Sequence, residues 1–306
     1  MKKAFKSYSL IILAVIFWAM SFVWFKIANE AYRPLTIVYL RLIISVILLS
    51  LFLFVSGGYQ KIKRKDLKFF LLMSFCEPFL YFIGESFGLT YVSSTTASVL
   101  IATIPIFTAI GAWIFYKEKL KAINYAGILL SLIGVIVFVM NTGGGLSLNY
   151  RGLLLIFMAV LSATGYTLTL KHLAGSYNPI YIVNVQNIMG VILFLPIMLI
   201  SEAEHISEFV FNREAFVAII ELAVFASCGA FILFGYSVRS MGVTRANAFS
   251  NLIPVFTAIF AFLMIGDSIS AREVIGMAIV ITGLFLSQSP KKWTKPDGTI
   301  LAGKTA

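Results

Sequence analysis

The 306-residue chain has two cysteines and two histidines, and only 12% of its residues are charged. Cys76 and Cys228 both lie in apolar runs, so neither a disulfide framework nor a CxxC redox or zinc motif can be drawn. His172 and His205 stand alone, and the chain contains no HExxH and no Walker signature. Metal-assisted hydrolysis and ATP-driven work thus have no residues to carry them, and neither a metal nor a cofactor is expected. Nor is an enzyme expected. The acids of 201–214 are the nearest thing to a surface cluster, and no nucleophile with a histidine–acid partner accompanies them. The shortage of charge also excludes an ordinary soluble domain, which carries about 25% charged residues.

What is abundant is hydrocarbon. Hydrophobic residues make up 60% of the chain, and its mean hydropathy is +0.95. Charge-free windows run over 7–25, 86–116, 122–150, 152–170, 179–201, 222–238, 246–266 and 274–290. A helix needs about 20 apolar residues to cross a bilayer. Adding two stretches interrupted by Arg41 and by Glu77 and Glu85, the pattern predicts ten spans: 8–27, 35–56, 68–87, 93–115, 122–141, 151–171, 179–200, 214–237, 244–266 and 273–289. They are far too long for barrel strands, and lipid demands that every backbone amide be paired internally, so they are helices. The first resembles a secretory signal, but Trp18, Trp24 and Lys26 lie within it and no small-residue cleavage site follows. It is read as a retained helix.

The basic residues set the orientation. With the N-terminus in the cytoplasm, 18 Lys and Arg fall in cytoplasmic segments and 5 outside, a strong positive-inside asymmetry. Both termini then face the cytoplasm, as an even number of spans requires. The net charge of +11 belongs to short turns facing lipid headgroups. No loop is long enough to house a nucleic-acid-binding domain, and nucleic acid is not an expected partner.

An internal repeat organises the spans. IPIFTAI at 104–110 returns as IPVFTAI at 253–259, and the 149-residue offset also aligns Glu118 with Asp267, Gly127 with Gly276 and Gly134 with Gly283. Earlier in each half the offset is 145, where AYRPLTIVYLRL (31–42) meets SYNPIYIVNVQN (176–187). The fold class expected is therefore all-α and integral to the membrane: ten transmembrane helices as two five-helix repeats, 1–145 and 146–289, with a basic cytoplasmic tail at 290–306. Because five is odd, the second copy enters the membrane inverted, and an exchange of conformation between the copies would supply alternating access. Pro105 and Pro254 should kink or open spans four and nine and act as hinges, since each removes a backbone donor inside an apolar run.

These marks, together with AVIFWAMSFVWFKIA in span one, RPLTIVYLRL entering span two and the acid closing each proline-containing span, resemble the drug/metabolite transporter superfamily in its EamA-type branch. The resemblance covers about 8–289. It implies a secondary transporter in the bacterial inner membrane, most naturally an exporter of amino acids or related small polar or amphipathic compounds. Import or exchange of sugars or nucleotide-type metabolites is the alternative. A channel or a membrane-bound transferase is the alternative from another class. The resemblance also implies a central cavity lined mainly by spans one, three, four, six, eight and nine. Arg41 is family-like, whereas Gln186 holds the matching place in the second half.

Ionisable groups inside spans are costly and mark function. The substrate-binding candidates are Glu77 and Glu85, with Trp18, Tyr81 and Tyr166 as aromatic rings with polar tips, and Asn247 with Asn251, one helical turn apart. Arg41, Glu118 and Asp267 are read as structural or charge-pairing residues, Arg41 with Glu77 as one option. Gly84 and Gly88 form a GxxxG, and the glycines at 127, 134, 276 and 283 point to close packing of spans five and ten, or to a dimer surface. The expected partners are a small-molecule substrate, the bilayer, and a coupling proton or counter-substrate; a homodimer is left open.

Overall fold

The computed structural model describes residues 2–92, 94–117, 121–139, 149–201, 210–265 and 270–287. Among the described residues the protein is helical, with no strand. The helices are α1 (Lys2–Asn29), α2 (Pro34–Ser56), α3 (Leu67–Ser74), α4 (Tyr81–Tyr91), α5 (Ser94–Ile101), α6 (Ile104–Tyr116), α7 (Ala122–Val139), α8 (Tyr150–Ala174), α9 (Pro179–Ser201), α10 (Arg213–Glu221), α11 (Phe231–Met241), α12 (Val243–Ala248), α13 (Ile253–Ile265) and α14 (Ala271–Ser287). Seven helical runs are long and apolar enough to cross a membrane: Ser7–Asn29, Pro34–Ser56, Arg64–Tyr91, Tyr150–Ala174, Pro179–Ser201, Arg213–Met241 and Val243–Met264. Shorter apolar helices, Ile104–Tyr116, Ala122–Gly134 and Val274–Ser287, lie where spans four, five and ten were expected. Glu118, Asp267 and the basic tail lie outside the described residues.

Local chemistry explains the helix ends. Pro34 opens α2, where a missing N–H costs nothing, and Gly57 closes it at φ 63°, a left-handed conformation that suits glycine. The side chain of Asn149 caps α8 by accepting from the Arg151 amide at 3.2 Å. Asn212 does the same for α10, accepting from the Ala215 amide at 3.0 Å.

Four of the helical runs are interrupted. Between α3 and α4 the chain makes a π-type turn, Phe75–Leu80, with Glu77 in extended conformation (φ −147°, ψ 120°) ahead of Pro78. Between α10 and α11 lies a second π-type stretch, Leu222–Ala230. Shifted by the 149 residues of the repeat, the first turn falls inside the second. Of the kink or opening expected in the proline runs, the structure has the break, with each proline just after it. Pro105 stands in the first turn of α6, after α5 has ended at Ile101. Pro254 follows a 3-10 turn, Phe249–Leu252, and sits in the first turn of α13. A proline that begins a helix removes a donor that had no intrahelical acceptor.

The helices pack in a reciprocal pattern. α2 lies against α9, and α7 against α14; α4 packs on α8, while α1 packs on α11. α6 meets α8, as α13 meets α1. Lipid offers no hydrophobic drive between helices, so close van der Waals fit and hydrogen bonds must hold them. The α7–α14 contact is of this kind. A Cβ at Gly127 would lie 2.3 Å from the Ser287 nitrogen, and one at Gly283 would lie 2.4 Å from that of Ser131. Asn124 Nδ2 donates to the Ser287 carbonyl at 2.8 Å, and Ser131 Oγ to that of Val280 at 3.1 Å. These glycines meet within one chain and are not available as a surface for a second copy. Gly84 and Gly88 likewise let α4 approach α8: a Cβ at Gly84 would lie 2.4 Å from the Leu155 carbonyl oxygen.

Candidate functional site

The interrupted helices converge on a cavity of about 50 Å³ in the middle of the bundle. α1 offers Trp18, Ser21 and Phe22. The unwound turn and α4 bring Glu77, Tyr81, Phe82 and Glu85. Ile101 and Ile104 flank the break between α5 and α6, and α8 supplies Ala163, Tyr166 and Thr167. Phe231 and Phe234 come from α11; Asn247, Ser250 and Ile253 come from the broken run α12–α13. All six spans implied by the resemblance contribute, and α2 adds Arg41.

Six of the seven substrate-binding candidates line this space: Trp18, Glu77, Tyr81, Glu85, Tyr166 and Asn247. Asn251 does not. It is buried in the 3-10 turn, where its Oδ1 finds no partner among the described residues. An α-helix would put two residues four apart nearly on one face, but a 3-10 turn separates them by about a third of a turn. Pro105 and Pro254 stay outside the cavity, while the residues just before them, Ile104 and Ile253, reach it.

The polar members differ in how they are held. The Glu85 carboxylate accepts from the Tyr81 hydroxyl at 2.9 Å. Asn247 Nδ2 donates to Thr108 Oγ1 at 2.8 Å, tying α12 to α6 beside the cavity. Arg41, only 3% exposed, makes no ion pair with Glu77 or Glu85 among the described residues, so the Glu77 pairing that was one option for it is not made. Its Nε donates to Ser227 Oγ at 2.8 Å, and its guanidinium stacks 4.2 Å from the centroid of Phe82. The reason is the π-type stretch Leu222–Ala230, which carries Ser227 to α2. Gln186, at the matching place on α9, is fully buried with both side-chain polar atoms unpartnered among the described residues. The Tyr166 hydroxyl is also buried and unpartnered. Glu77, 5% exposed, has no hydrogen bond or ion pair among the described residues.

The apolar walls form an aromatic box. Trp18 meets Phe231 edge-on at 5.4 Å and Phe234 at 5.1 Å between centroids, and Tyr166 meets Phe231 edge-on at 5.7 Å. Phe22, Phe82, Phe231 and Phe234 were not among the expected site residues. Phenylalanine within an apolar span carries no signal that separates cavity from core. A wider, open recess of about 650 Å³ lies where α1 ends beside α10, among Glu30, Arg213, Glu214 and Glu221. Glu221, inside a predicted span, faces this recess and not the central cavity.

A multi-pass bundle of apolar helices around a small cavity with charged and aromatic walls defines a membrane transport protein. The model of the EamA-like transporter family matches residues 5–140 and again 150–288, and the chain belongs to that family. Its relatives include an "Uncharacterized transporter" of Archaeoglobus fulgidus, 25% identical over 281 residues, spanning 92% of this chain and 98% of that protein. Another is the "Uncharacterized transporter YetK" of Bacillus subtilis, 28% identical over 259 residues, 84% of this chain and 78% of that one. A solved crystal structure aligns with a TM-score of 0.75 at 14% identity, over 92% of this chain and 97% of its own; that likeness concerns the fold.

Proposed function

We propose that this protein is a secondary transporter of the bacterial cytoplasmic membrane, with ten spans in two inverted five-helix halves and both termini cytoplasmic. It moves small metabolites by alternating access, and export of amino acids or related small polar or amphipathic compounds is the reading that the family resemblance favours. The observation that carries the proposal is the central cavity, to which interrupted helices of both halves contribute. Two separate family matches support the repeat. So does the reciprocal packing, in which α2–α9 and α7–α14 are symmetric pairs and α4 on α8 has its counterpart in α11 on α1. The interrupted backbone at mid-span resembles the discontinuous helices on which transporters build their sites.

In this reading Trp18, Glu77, Tyr81, Glu85, Tyr166 and Asn247 contact substrate. Pro105 and Pro254 begin the mobile halves of their spans, and the recess at Glu30 and Glu221 is the outer vestibule. The test is flux through the purified protein in liposomes, run with a panel of metabolites and with or without a pH gradient. Flux should saturate with concentration and should accelerate when unlabelled solute waits on the far side. Flux that rises linearly without saturation would replace the carrier with a channel.

A further inference from the structure

The geometry points to a small organic monocation bearing a primary ammonium group as the occupant of the central cavity, with Glu77 as its counter-ion and the Tyr166 hydroxyl as a second acceptor. This rests on the transporter reading and narrows its substrate class. Two carboxylates, Glu77 and Glu85, and one guanidinium, Arg41, line the cavity. With both carboxylates ionised, Arg41 balances one of them in the total charge of the cavity, and one negative charge remains. The hydrogen bonds identify where it is exposed. Arg41 Nε is held by Ser227 and its guanidinium faces Phe82, and Glu85 is satisfied in part by Tyr81. Glu77 lines the cavity, is 95% buried by its 5% exposure, and has no hydrogen-bond or ion-pair partner among the described residues.

Leaving an ionised carboxylate alone in a low-dielectric site is expensive, so it takes up either a proton or a cation, and that place is assigned here to the cation of the substrate. The Tyr166 hydroxyl, fully buried on the same cavity, is likewise unpartnered. A hydroxyl can accept as well as donate, and an ammonium offers three donors: enough for Glu77 and Tyr166 together, with one to spare. The walls suit the rest of such a molecule. Trp18, Phe231 and Phe234 present aromatic surface, which attracts cations through the ring quadrupole and accepts an alkyl chain. A zwitterion carries no net charge and would leave the excess negative charge of the cavity unbalanced, whereas a monocation cancels it. The volume of about 50 Å³ is room for a few water molecules, which favours a short amine over a drug-sized one.

The test uses the full-length protein in detergent, titrated with butylammonium, with butanol as the neutral analogue and with γ-aminobutyrate as the zwitterion. Tryptophan fluorescence and heat-induced unfolding report binding. Butylammonium should saturate the signal and raise the unfolding temperature at concentrations where the other two do neither. Glu77→Gln should weaken it about tenfold or more, as expected for a lost charged hydrogen bond, and Glu77→Asp should retain most of the affinity. If butanol binds as well, Glu77 is neutralised by a proton and the proposal is overturned. Tighter binding of γ-aminobutyrate, or an unchanged affinity in Glu77→Gln, overturns it too. Should the Gln variant not fold, the three-ligand comparison on the unaltered protein decides. Liposome flux separates this from the broader reading. Saturable movement of zwitterions without amine binding defeats only the substrate class. Amine binding without flux of any solute supports the site and defeats transport.

Discussion

Arg41 shows how the site balances charge without a salt bridge. A hydroxyl and a ring hold its guanidinium in place, so its charge counts toward the cavity as a whole without a direct ion pair to either carboxylate. Lysine keeps the charge but cannot reproduce the Nε–H direction or the planar stack. Arg41→Lys should therefore lower stability by about 1–3 kcal/mol, read as a reduced midpoint of thermal unfolding in detergent; an unchanged midpoint would mean that Ser227 and Phe82 contribute nothing. Residues of this kind were legible in the sequence because a charge or a tyrosine inside an apolar run stands out, which is how Glu77, Glu85, Tyr81 and Tyr166 came to be named. Phe22, Phe231 and Phe234 were hidden for the opposite reason: they line the same cavity but look like every other apolar residue of their spans. The contact that Arg41 makes could not be read, because its partner, Ser227, is 186 positions away and no periodicity points to it.

Helix order and repeat could be read from hydropathy and from the duplicated proline segments; the interruptions could be read only in part. Proline advertised the breaks near 105 and 254 as kinks or openings, but not that each proline would stand in the first turn of a new helix. Nothing in Leu222–Ala230 announces a π-type stretch, because no proline stands there and its residues are ordinary apolar and small ones. The same blindness misplaced Asn251, whose face depends on local rise per residue. If the breaks at Pro105 and Pro254 let half-helices move, then Pro105→Ala and Pro254→Ala should permit more continuous helices. Exchange flux in liposomes should slow several-fold while ligand binding stays close to its original strength. Unimpaired exchange in both variants would remove the hinge role from these residues.

The proposed topology makes a prediction for the protein in its membrane. In the proposed reading, the 18 to 5 distribution of basic residues places both ends of the chain in the cytoplasm. Protease-cleavable tags fused to the N- and C-termini should survive protease added to intact spheroplasts and be cut once the membrane is broken. Cleavage of either tag in intact spheroplasts would invert or reduce the span count. The cytoplasmic ends of the bundle are themselves joined in this reading. The Tyr177 hydroxyl donates to Asp66 Oδ2 at 2.9 Å and accepts from the Lys63 amide at 3.0 Å. His172 lies 3.6 Å from the other oxygen of Asp66. Burial pushes the Tyr177 hydroxyl above its ordinary value, so it remains a donor.

The glycine-mediated contact between α7 and α14 has one more consequence. Neither helix supplies a residue to the central cavity, and their backbones lie too close for a side chain at Gly127 or Gly283. In the proposed reading, the residues that select a solute and those of this seam between the halves are therefore different. Mutation can re-line the cavity for a new solute without disturbing the seam.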